Sequence, residues 1–597
     1  NMANPGETVD LIIDLENSQN WAEAVSITVS ISFENSDIQI INNNIDFGAL
    51  QPGATTSNIS QPFSVSIPAN GPLNDYAFTI TVEALGTSGG LFSKEFEFEM
   101  PVNLMLTNWP WFSDVNFGAA PILEDVNGDG IDDLILLSKN SVLHVLDYTS
   151  TELPGYPVDG DDQVDDSPAM ADIDDDGSND IIWATRTGKV FAKDLQGNEI
   201  WTKSGFGDIS TSPVILNADG NGSWEIAFAF IETGIYLLDS SGNVMTGFPV
   251  NNESRVTSDL ATADINGDGT DEIIAATIDG LLHVYTVSGT ELSGFPADLG
   301  VQTSCSPIVL GNKHIAIGTN FNRLKIFNPD GTCTLDLPIS GRIAGSPVAA
   351  NVDWDGAQEL IFRTLYGELY VINQDGTDKA GFPLSSGANT ARSPLVGDID
   401  NDGVLDIVQF GNNCYISIYN TNGVENSYSP IPSSGIGCTP PALGDIDNDG
   451  DVDLIGGWFN GFMVIDIKTP MGIHHPWPVY RGNNRRTAYY GDANVLPVDN
   501  GLVSPAITEF TSIYPNPFNP ETSICFSLDN QQNVTLDVYN IRGRKVKTLI
   551  SAKLEAGEHQ IIWNGENTIG QKAASGLYLF ALKTSAKTLV RKAVMLK

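Results

Sequence analysis

The chain predicts an all-β protein: an eight-repeat β-propeller, of seven or eight blades, flanked by N-terminal and C-terminal immunoglobulin-like β-sandwiches. Three observations lead there. A nine-residue acidic segment recurs through the middle of the 597 residues, mostly at intervals near 47. Between its copies lie β-branched and alternating stretches punctuated by Gly, Asp and Asn turns, and the absence of a 3.6-residue period excludes helical repeats. On either side, apolar and polar residues alternate without the acidic segment.

Residues 1–105 open the chain with strand patterns such as Glu7-Thr-Val-Asp-Leu-Ile-Ile-Asp-Leu15, Val25-Ser-Ile-Thr-Val-Ser-Ile31 and Ala77-Phe-Thr-Ile-Thr-Val82. Asn4-Pro-Gly and Gln51-Pro-Gly mark tight turns. The pattern predicts an immunoglobulin-like sandwich. It resembles the CARDB-like spacer modules of secreted bacterial proteins, which implies a spacer or adhesion role.

The central region, residues 106–492, is built on Asp125-Val-Asn-Gly-Asp-Gly-Ile-Asp-Asp133 and its relatives beginning at Asp172, Asn217, Asp264, Asn351, Asp398 and Asp445. The start-to-start intervals are 47, 45, 47, 87, 47 and 47. Ser306-Pro-Ile-Val-Leu-Gly311 matches the Ser-Pro lead-in of other copies (Ser212-Pro213, Ser346-Pro347, Ser393-Pro394) and splits the long interval, giving eight repeats. Each repeat continues into an apolar strand, an alternating strand such as GLLHVYTVSG, and a turn ending in Gly-aromatic-Pro at Gly155, Gly247, Gly294 and Gly381. Several short strands per repeat suit propeller blades. Trp109-Pro110 and Trp477-Pro478, at the two ends of the array, resemble one another and predict ring closure by shared strands.

The acidic segments read as D-x-[DN]-x-[DN]-G-x-x-[DE], with oxygen side chains at positions 1, 3, 5 and 9. Calcium takes about six to eight hard oxygen ligands, which a tight loop supplies from alternate residues, and glycine at position 6 allows the positive-φ turn around an ion. Position 12 carries Leu136, Trp183, Ala275, Gln409 or Gly456 rather than the EF-hand glutamate, and strand formers follow. Strand–loop–strand calcium sites are therefore expected. The candidate ligands are Asp125, Asn127, Asp129 and Asp133; Asp172, Asp174, Asp176 and Asp180; Asn217, Asp219, Asn221 and Glu225; Asp264, Asn266, Asp268 and Glu272. The series continues with Asn351, Asp353, Asp355 and Glu359; Asp398, Asp400, Asp402 and Asp406; and Asp445, Asp447, Asp449 and Asp453. The Asn217 loop has two carboxylates and is expected to bind most weakly. Up to seven Ca²⁺ ions are expected, in a structural role, with dissociation constants of roughly 10⁻⁴–10⁻³ M suited to an extracellular setting. These loops and Gly-Phe-Pro turns, over about 109–492, resemble the FG-GAP/VCBS family of propellers, which implies a calcium-loaded extracellular propeller.

Five cysteines, none in a CxxC pair, argue against zinc-ribbon and thioredoxin-type sites. Cys305 with Cys333 and Cys414 with Cys438 read either as short-range disulfides or as buried free thiols. Because the repeat holding Cys305 and Cys333 lacks an acidic loop, a disulfide replacing the ion is the expectation there.

A linker over 493–512 precedes residues 513–597, where Ile513-Tyr-Pro-Asn-Pro-Phe-Asn-Pro-Glu-Thr leads into Val534-Thr-Leu-Asp-Val-Tyr-Asn-Ile, Gly543-Arg-Lys-Val, His559-Gln-Ile-Ile-Trp-Asn-Gly, Ser575-Gly-Leu-Tyr and Lys592-Ala-Val-Met-Leu-Lys597. This closely resembles the type A C-terminal sorting domain of the Bacteroidetes type IX secretion system. The resemblance implies export by that machinery as a partner, and a surface or secreted location. The segment carries 11 Lys/Arg against 6 Asp/Glu in a chain of net charge −46.

That acidity argues against nucleic-acid binding and against docking on anionic membranes, and no apolar run is long enough for a transmembrane helix. No Ser–His–Asp ordering, G-x-S-x-G or H-E-x-x-H occurs. His144 and His283 occupy matching repeat positions. No catalytic residues are assigned, and the chain is expected not to be an enzyme unless a catalytic domain precedes Asn1, where a signal peptide has been removed or a longer precursor continues. The expected function is a secreted, calcium-stabilised surface protein using its propeller to bind glycan, a protein partner or further copies of itself. The alternatives are the non-catalytic C-terminal part of a larger secreted hydrolase and, below it, a propeller polysaccharide lyase with chemistry in the central channel.

Overall fold

The alternation of the first hundred residues folds as facing sheets in the computed structural model, which describes residues 3–33, 38–68, 73, 75–160, 162–220, 222–231, 234–251, 254–256, 258–353, 355–385, 392–411, 415–432, 439–470, 477–490, 509–514, 518, 522–528, 532–540, 542, 544–554, 557–568, 571–584 and 588–595. One sheet orders Asn44–Leu50, Ala24–Ser32, Asp75–Gly86 and Leu91–Pro101; the other orders Thr8–Leu11, Phe63–Ser66 and Gln39–Asn42. Val29, Ile31, Phe63, Val65 and Phe78 fill the space between them, as period-two patterning requires.

Among the described residues, eight small antiparallel sheets follow. The first runs Ile122–Glu124, Asp133–Leu137, Val142–Leu146 and Val158–Asp159 in strand order. Its successors span 169–204, 214–238, 261–298, 308–338, 343–385 and 395–432. The eighth orders Trp111–Phe112, Gly461–Pro470, Asp451–Trp458 and Ala442–Gly444, so the chain entering the array supplies the outer strand of its last sheet. From the second sheet to the eighth, first strands of consecutive sheets are neighbours. Leu123 of the first sheet packs on Gly444 of the eighth, and one apolar cluster runs through the seventh, eighth and first sheets. This is a cyclic, β-propeller-like arrangement. Second strands such as Asp133–Leu137, Asp180–Ala184 and Glu272–Ala276 are buried at every residue because sheets cover both faces, which explains their unbroken apolar runs.

Two repeated contacts tie sheet to sheet. In the lead-ins, the N–H of Ala120 donates to Ser167 Oγ at 2.8 Å, that of Ser167 to Ser212 Oγ at 3.1 Å, that of Asp259 to Ser306 Oγ at 3.1 Å and that of Ser346 to Ser393 Oγ at 2.9 Å. In the Gly-aromatic-Pro turns, Gly294 has φ 99° and a Cβ there would lie 2.0 Å from the carbonyl oxygen of Asp330 in the next sheet. Gly247 meets Ser288 in the same way, at 2.1 Å. Only glycine permits this approach.

Closure differs from the expectation in one respect. Trp111–Phe112 pairs with Phe462 and Gly461, as strand sharing requires, but Trp477-Pro478 takes no part in that outer pairing. Residues 477–490 instead run through the centre of the ring. Their backbone bonds to Met170, Ile215, Thr262, Val309, Val396 and Leu443, in six different sheets. Arg481 and Arg486, each 1 % exposed, donate to innermost carbonyls: Arg481 to Pro307 at 3.0 Å and to Leu260, Arg486 to Pro168 at 2.9 Å and to Pro121 at 3.4 Å. Tyr480 donates to Asp259 Oδ2 at 2.5 Å. Arginine suits this place because its planar fork satisfies several oxygens at once.

The expected Cys305–Cys333 disulfide is absent: both thiols are free, Cys305 buried and Cys333 exposed. Cys305 precedes the innermost strand Ile308–Val309, whereas Cys333 begins the outermost strand Cys333–Pro338 of the same sheet. Three strand spacings put about 14 Å between them, against the roughly 4.4–6.8 Å that a disulfide spans. Burial pushes the Cys305 thiol up to about 12. Where other repeats carry the acidic loop, this one has a short turn in which Leu310 and His314 pair at 2.9 Å. Cys414 and Cys438 lie outside the described residues.

Residues Pro497–Lys597 form a separate compact unit. One sheet orders Glu509–Tyr514, Thr522–Leu528 and Gly557–Trp563; the other orders Lys545–Leu554, Gln532–Asn540, Gly576–Lys583 and Thr588–Met595. Ile524, Phe526, Leu536, Val538, Trp563 and Phe580 make its core. Asp537, 2 % exposed, is held at about 2, against the cost of its burial, by Lys583, Thr548 and Lys545.

Candidate metal centres

Each acidic segment connects the first and second strands of a sheet, so all seven occupy equivalent corners. The fold of the loop follows from its own side chains. The position-1 carboxylate accepts backbone N–H groups from positions 5 and 6: Asp125 from Asp129 at 3.1 Å and Gly130 at 2.9 Å, Asp172 from Asp176 at 3.1 Å and Gly177 at 3.0 Å, Asp445 from Asp449 at 3.1 Å and Gly450 at 3.0 Å. The position-5 carboxylate accepts from position 7, as Asp402 does from Val404 at 2.7 Å. Gly130, Gly177, Gly222, Gly269, Gly356, Gly403 and Gly450 all have φ between 82° and 96°, the conformation expected of position 6.

Position 9 is the constant of the set. Asp133, Asp180, Glu225, Glu272, Glu359, Asp406 and Asp453 are all buried, none more than 2 % exposed. Each accepts the N–H of position 2, from Val126, Ile173, Ala218, Ile265, Val352, Ile399 and Ile446, at 2.7–3.1 Å. Burial pushes Asp133, Asp180, Glu225, Glu272 and Glu359 up to about 7 and Asp406 to about 8, with the loop's other carboxylates adding to the rise and the N–H donors opposing it. Asp453 is raised well above the ordinary value for the same reasons. Burial among further carboxylates disfavours the charged form, and Lys379 opposes this only at Glu359 among these seven groups.

Four loops bring their acids together. Carboxylate oxygens of Asp172, Asp174 and Asp180 lie within 4.8 Å of one another, as do those of Asp353, Asp355 and Glu359, of Asp398, Asp400 and Asp406, and of Asp445, Asp447 and Asp453. Two ligands at about 2.3–2.6 Å from one calcium ion are separated by no more than about 5 Å. Asp180 Oδ1, Asn217 Oδ1, Asn351 Oδ1 and Asp400 Oδ1 are buried oxygens without a hydrogen-bond donor. They sit at positions 9, 1, 1 and 3 of their loops. Orphaned acceptors such as those of Asp180 and Asp400, which converge with further carboxylates, fit a hard cation.

The remaining candidates are placed less closely. Asp176 and Asp402 fix backbone groups in their loops and are outside the close triads. In the Asp264 loop, Asn266 donates to Asp268 at 3.0 Å and to Glu272 at 2.7 Å, so an amide stands between the acids. Asp125, Asn127 and Asp129 cap backbone N–H groups. Asp219 shares its loop with Asn217 and Glu225, while Asn221 lies outside the described residues.

Residues outside the pattern also enter. Asp466, on Gly461–Pro470 and 1 % exposed, groups with Asp447 and Asp449 within the same 4.8 Å. Lys468 pairs with Asp466 and, at 3.3 Å, with Asp449; Lys379 pairs with Asp353. Asp132, at position 8, is pushed up to about 7 by burial and by Glu124. Register supplies Asp466 and Lys468 from the neighbouring strand, so no within-loop spacing announces them.

Residues 519–587 match the FlgD Ig-like domain family. No curated protein sequence matches the chain. Among solved structures, BamB from Moraxella catarrhalis is similar over 60 % of this chain and 95 % of its own, at 14 % identity and a TM-score of 0.43. The V. cholerae biofilm matrix protein Bap1 is similar over 64 % of this chain and 96 % of its own, at 15 % identity and a TM-score of 0.38. No helix among the described residues is long and apolar enough to cross a membrane.

Proposed function

We propose that this is an exported, calcium-stabilised surface protein whose eight-bladed propeller of FG-GAP/VCBS type presents a rigid face to an extracellular glycan or protein partner. The observation that carries the reading is the buried position-9 carboxylate beneath all seven acidic loops. Seven such groups, each facing further acids, are costly to fold without cations, and an ion bound only by the folded state stabilises it by mass action. Asp172, Asp174, Asp180, Asp353, Asp355, Glu359, Asp398, Asp400, Asp406, Asp445, Asp447 and Asp453 are the best-converged holders. Calcium supplies charge neutralisation and cross-linking of the loop there, with no catalytic step.

Binding on a face, rather than chemistry in a channel, is favoured because residues 477–490 with Arg481 and Arg486 occupy the ring centre. The motif run of residues 513–597 supports a type IX sorting role for the C-terminal unit, on an immunoglobulin-like framework. The experiment is retention of the labelled full chain on intact bacteria and on extracellular polysaccharide, in calcium and after chelation. Retention in calcium that chelation removes is the expected result. Equal retention in both conditions, or none in either, contradicts the reading.

A further inference from the structure

We propose that the open end of the N-terminal sandwich is a binding site for a neutral oligosaccharide, separate from the ring and its metal loops. The strands Asp75–Gly86 and Leu91–Pro101 pair from Asp75 and Pro101 out to Leu85 and Leu91. Every second residue of the second strand, from Met100 back to Phe92, lies on its core-facing side. Exposure there rises from 3 % at Met100 to 46 % at Phe96. The uncovered stretch forms a cavity of about 520 Å³, within the roughly 300–1,000 Å³ typical of small-ligand sites.

Its lining selects the ligand chemistry. Trp21, 55 % exposed, stands at one side and meets Phe92 edge-to-face at 5.0 Å. The next core-facing position holds Lys94, whose ammonium lies 4.6 Å from the centre of the Phe96 ring. Glu16 and Asn20 complete the rim. Lys94 stands where the alternation calls for an apolar residue, and a lipid chain or an apolar protein face would desolvate it against nothing but the Phe96 ring. A sugar ring presents C–H faces to an indole and hydroxyls to an ammonium, a carboxylate and an amide, so it satisfies both kinds of lining. The net charge of −46 selects against anionic glycans.

The test is calorimetric titration of the full chain with cellohexaose, laminarihexaose, xylohexaose and mannohexaose, with and without chelator. At least one is expected to bind, and to bind equally after chelation, which separates this site from the reading of the ring. Trp21→Ala is expected to weaken binding roughly tenfold or more, while Tyr366→Ala, an exposed ring aromatic, leaves it unchanged. Lys94→Ala, on a different element, repeats the test should Trp21→Ala disturb its loop. Absence of binding to all four sugars overturns the proposal, as does undiminished binding by both variants. So does a concentration-dependent dimer that Trp21→Ala abolishes, which would assign the cavity to a second copy.

Discussion

Replacing Asp406 by Asn has opposite consequences with and without calcium. Asp406 is 1 % exposed, accepts the Ile399 N–H at 3.0 Å and faces Asp398, Asp400 and Asp402. Asparagine keeps the acceptor and the shape but removes the charge. Without an ion, the carboxyl at about 8, against an ordinary 3.8, burdens the folded state at pH 7.5. A factor of ten in proton affinity is about 1.4 kcal/mol, so the ceiling is about 5 kcal/mol. Solvent reaching the exposed side of the loop reduces this to about 2 kcal/mol. With calcium, the same substitution deletes a charged ligand. An ion at a hundred times its dissociation constant, which about 10 mM calcium reaches for a site of about 10⁻⁴ M, contributes about 2.7 kcal/mol, and most of that is lost. Asp406→Asn is therefore expected to raise the melting temperature in chelator by about 2–4 °C and, because the lost binding exceeds that relief by under about 1 kcal/mol, to lower it only slightly in about 10 mM calcium. Calorimetric melting of parent and variant in both buffers measures it. An equal shift in both buffers refutes a metal role for this carboxylate.

Other outcomes follow from the same structure. In chelator, the raised position-9 carboxyls hold more protons in the folded than in the unfolded chain between about pH 4 and about pH 7–8. The stability they contribute when protonated is lost as pH rises through that window, so chelated protein is expected to melt higher at pH 6 than at pH 8. Saturating calcium is expected to remove that slope, and melting curves across pH check it. Gly294→Val places a Cβ against the Asp330 carbonyl and imposes a side chain at φ 99°, with a cost of about 3 kcal/mol or more, read by denaturant unfolding. Thiol labelling under native conditions is expected to modify Cys333 and to reach Cys305 only on unfolding, because both are free and only Cys333 is exposed.

Much of the architecture was legible in repetition. The offsets of the acids, the glycine at position 6 and the Gly-aromatic-Pro turns correspond to the corner loops, their positive φ and the close approach of neighbouring turns. These are local or next-sheet relations, and they leave a period in the sequence. Burial of position 9 was legible too, in principle, since it begins the apolar second strand in six of the seven sheets that carry the loop. Three features left no such trace. Residues 477–490 bond through their backbone to six sheets, with partners up to several hundred residues away, and a single non-repeated segment carries no periodic signal. Asp466 and Lys468 reach their loop through strand register rather than spacing. The short separation of Cys305 and Cys333 suggested a bridge, yet a sheet carries the chain outward by one strand at a time, so residues close in sequence stand at its two ends.

The central claim is that the acidic loops hold divalent cations that stabilise the ring. It is tested most directly by elemental analysis of the purified full chain after dialysis against calcium, with melting before and after chelation. Several bound calcium ions per chain, up to seven, and a large fall in melting temperature once they are removed are the predicted result. Folded protein free of alkaline-earth metal, melting identically in calcium and in chelator, would contradict it.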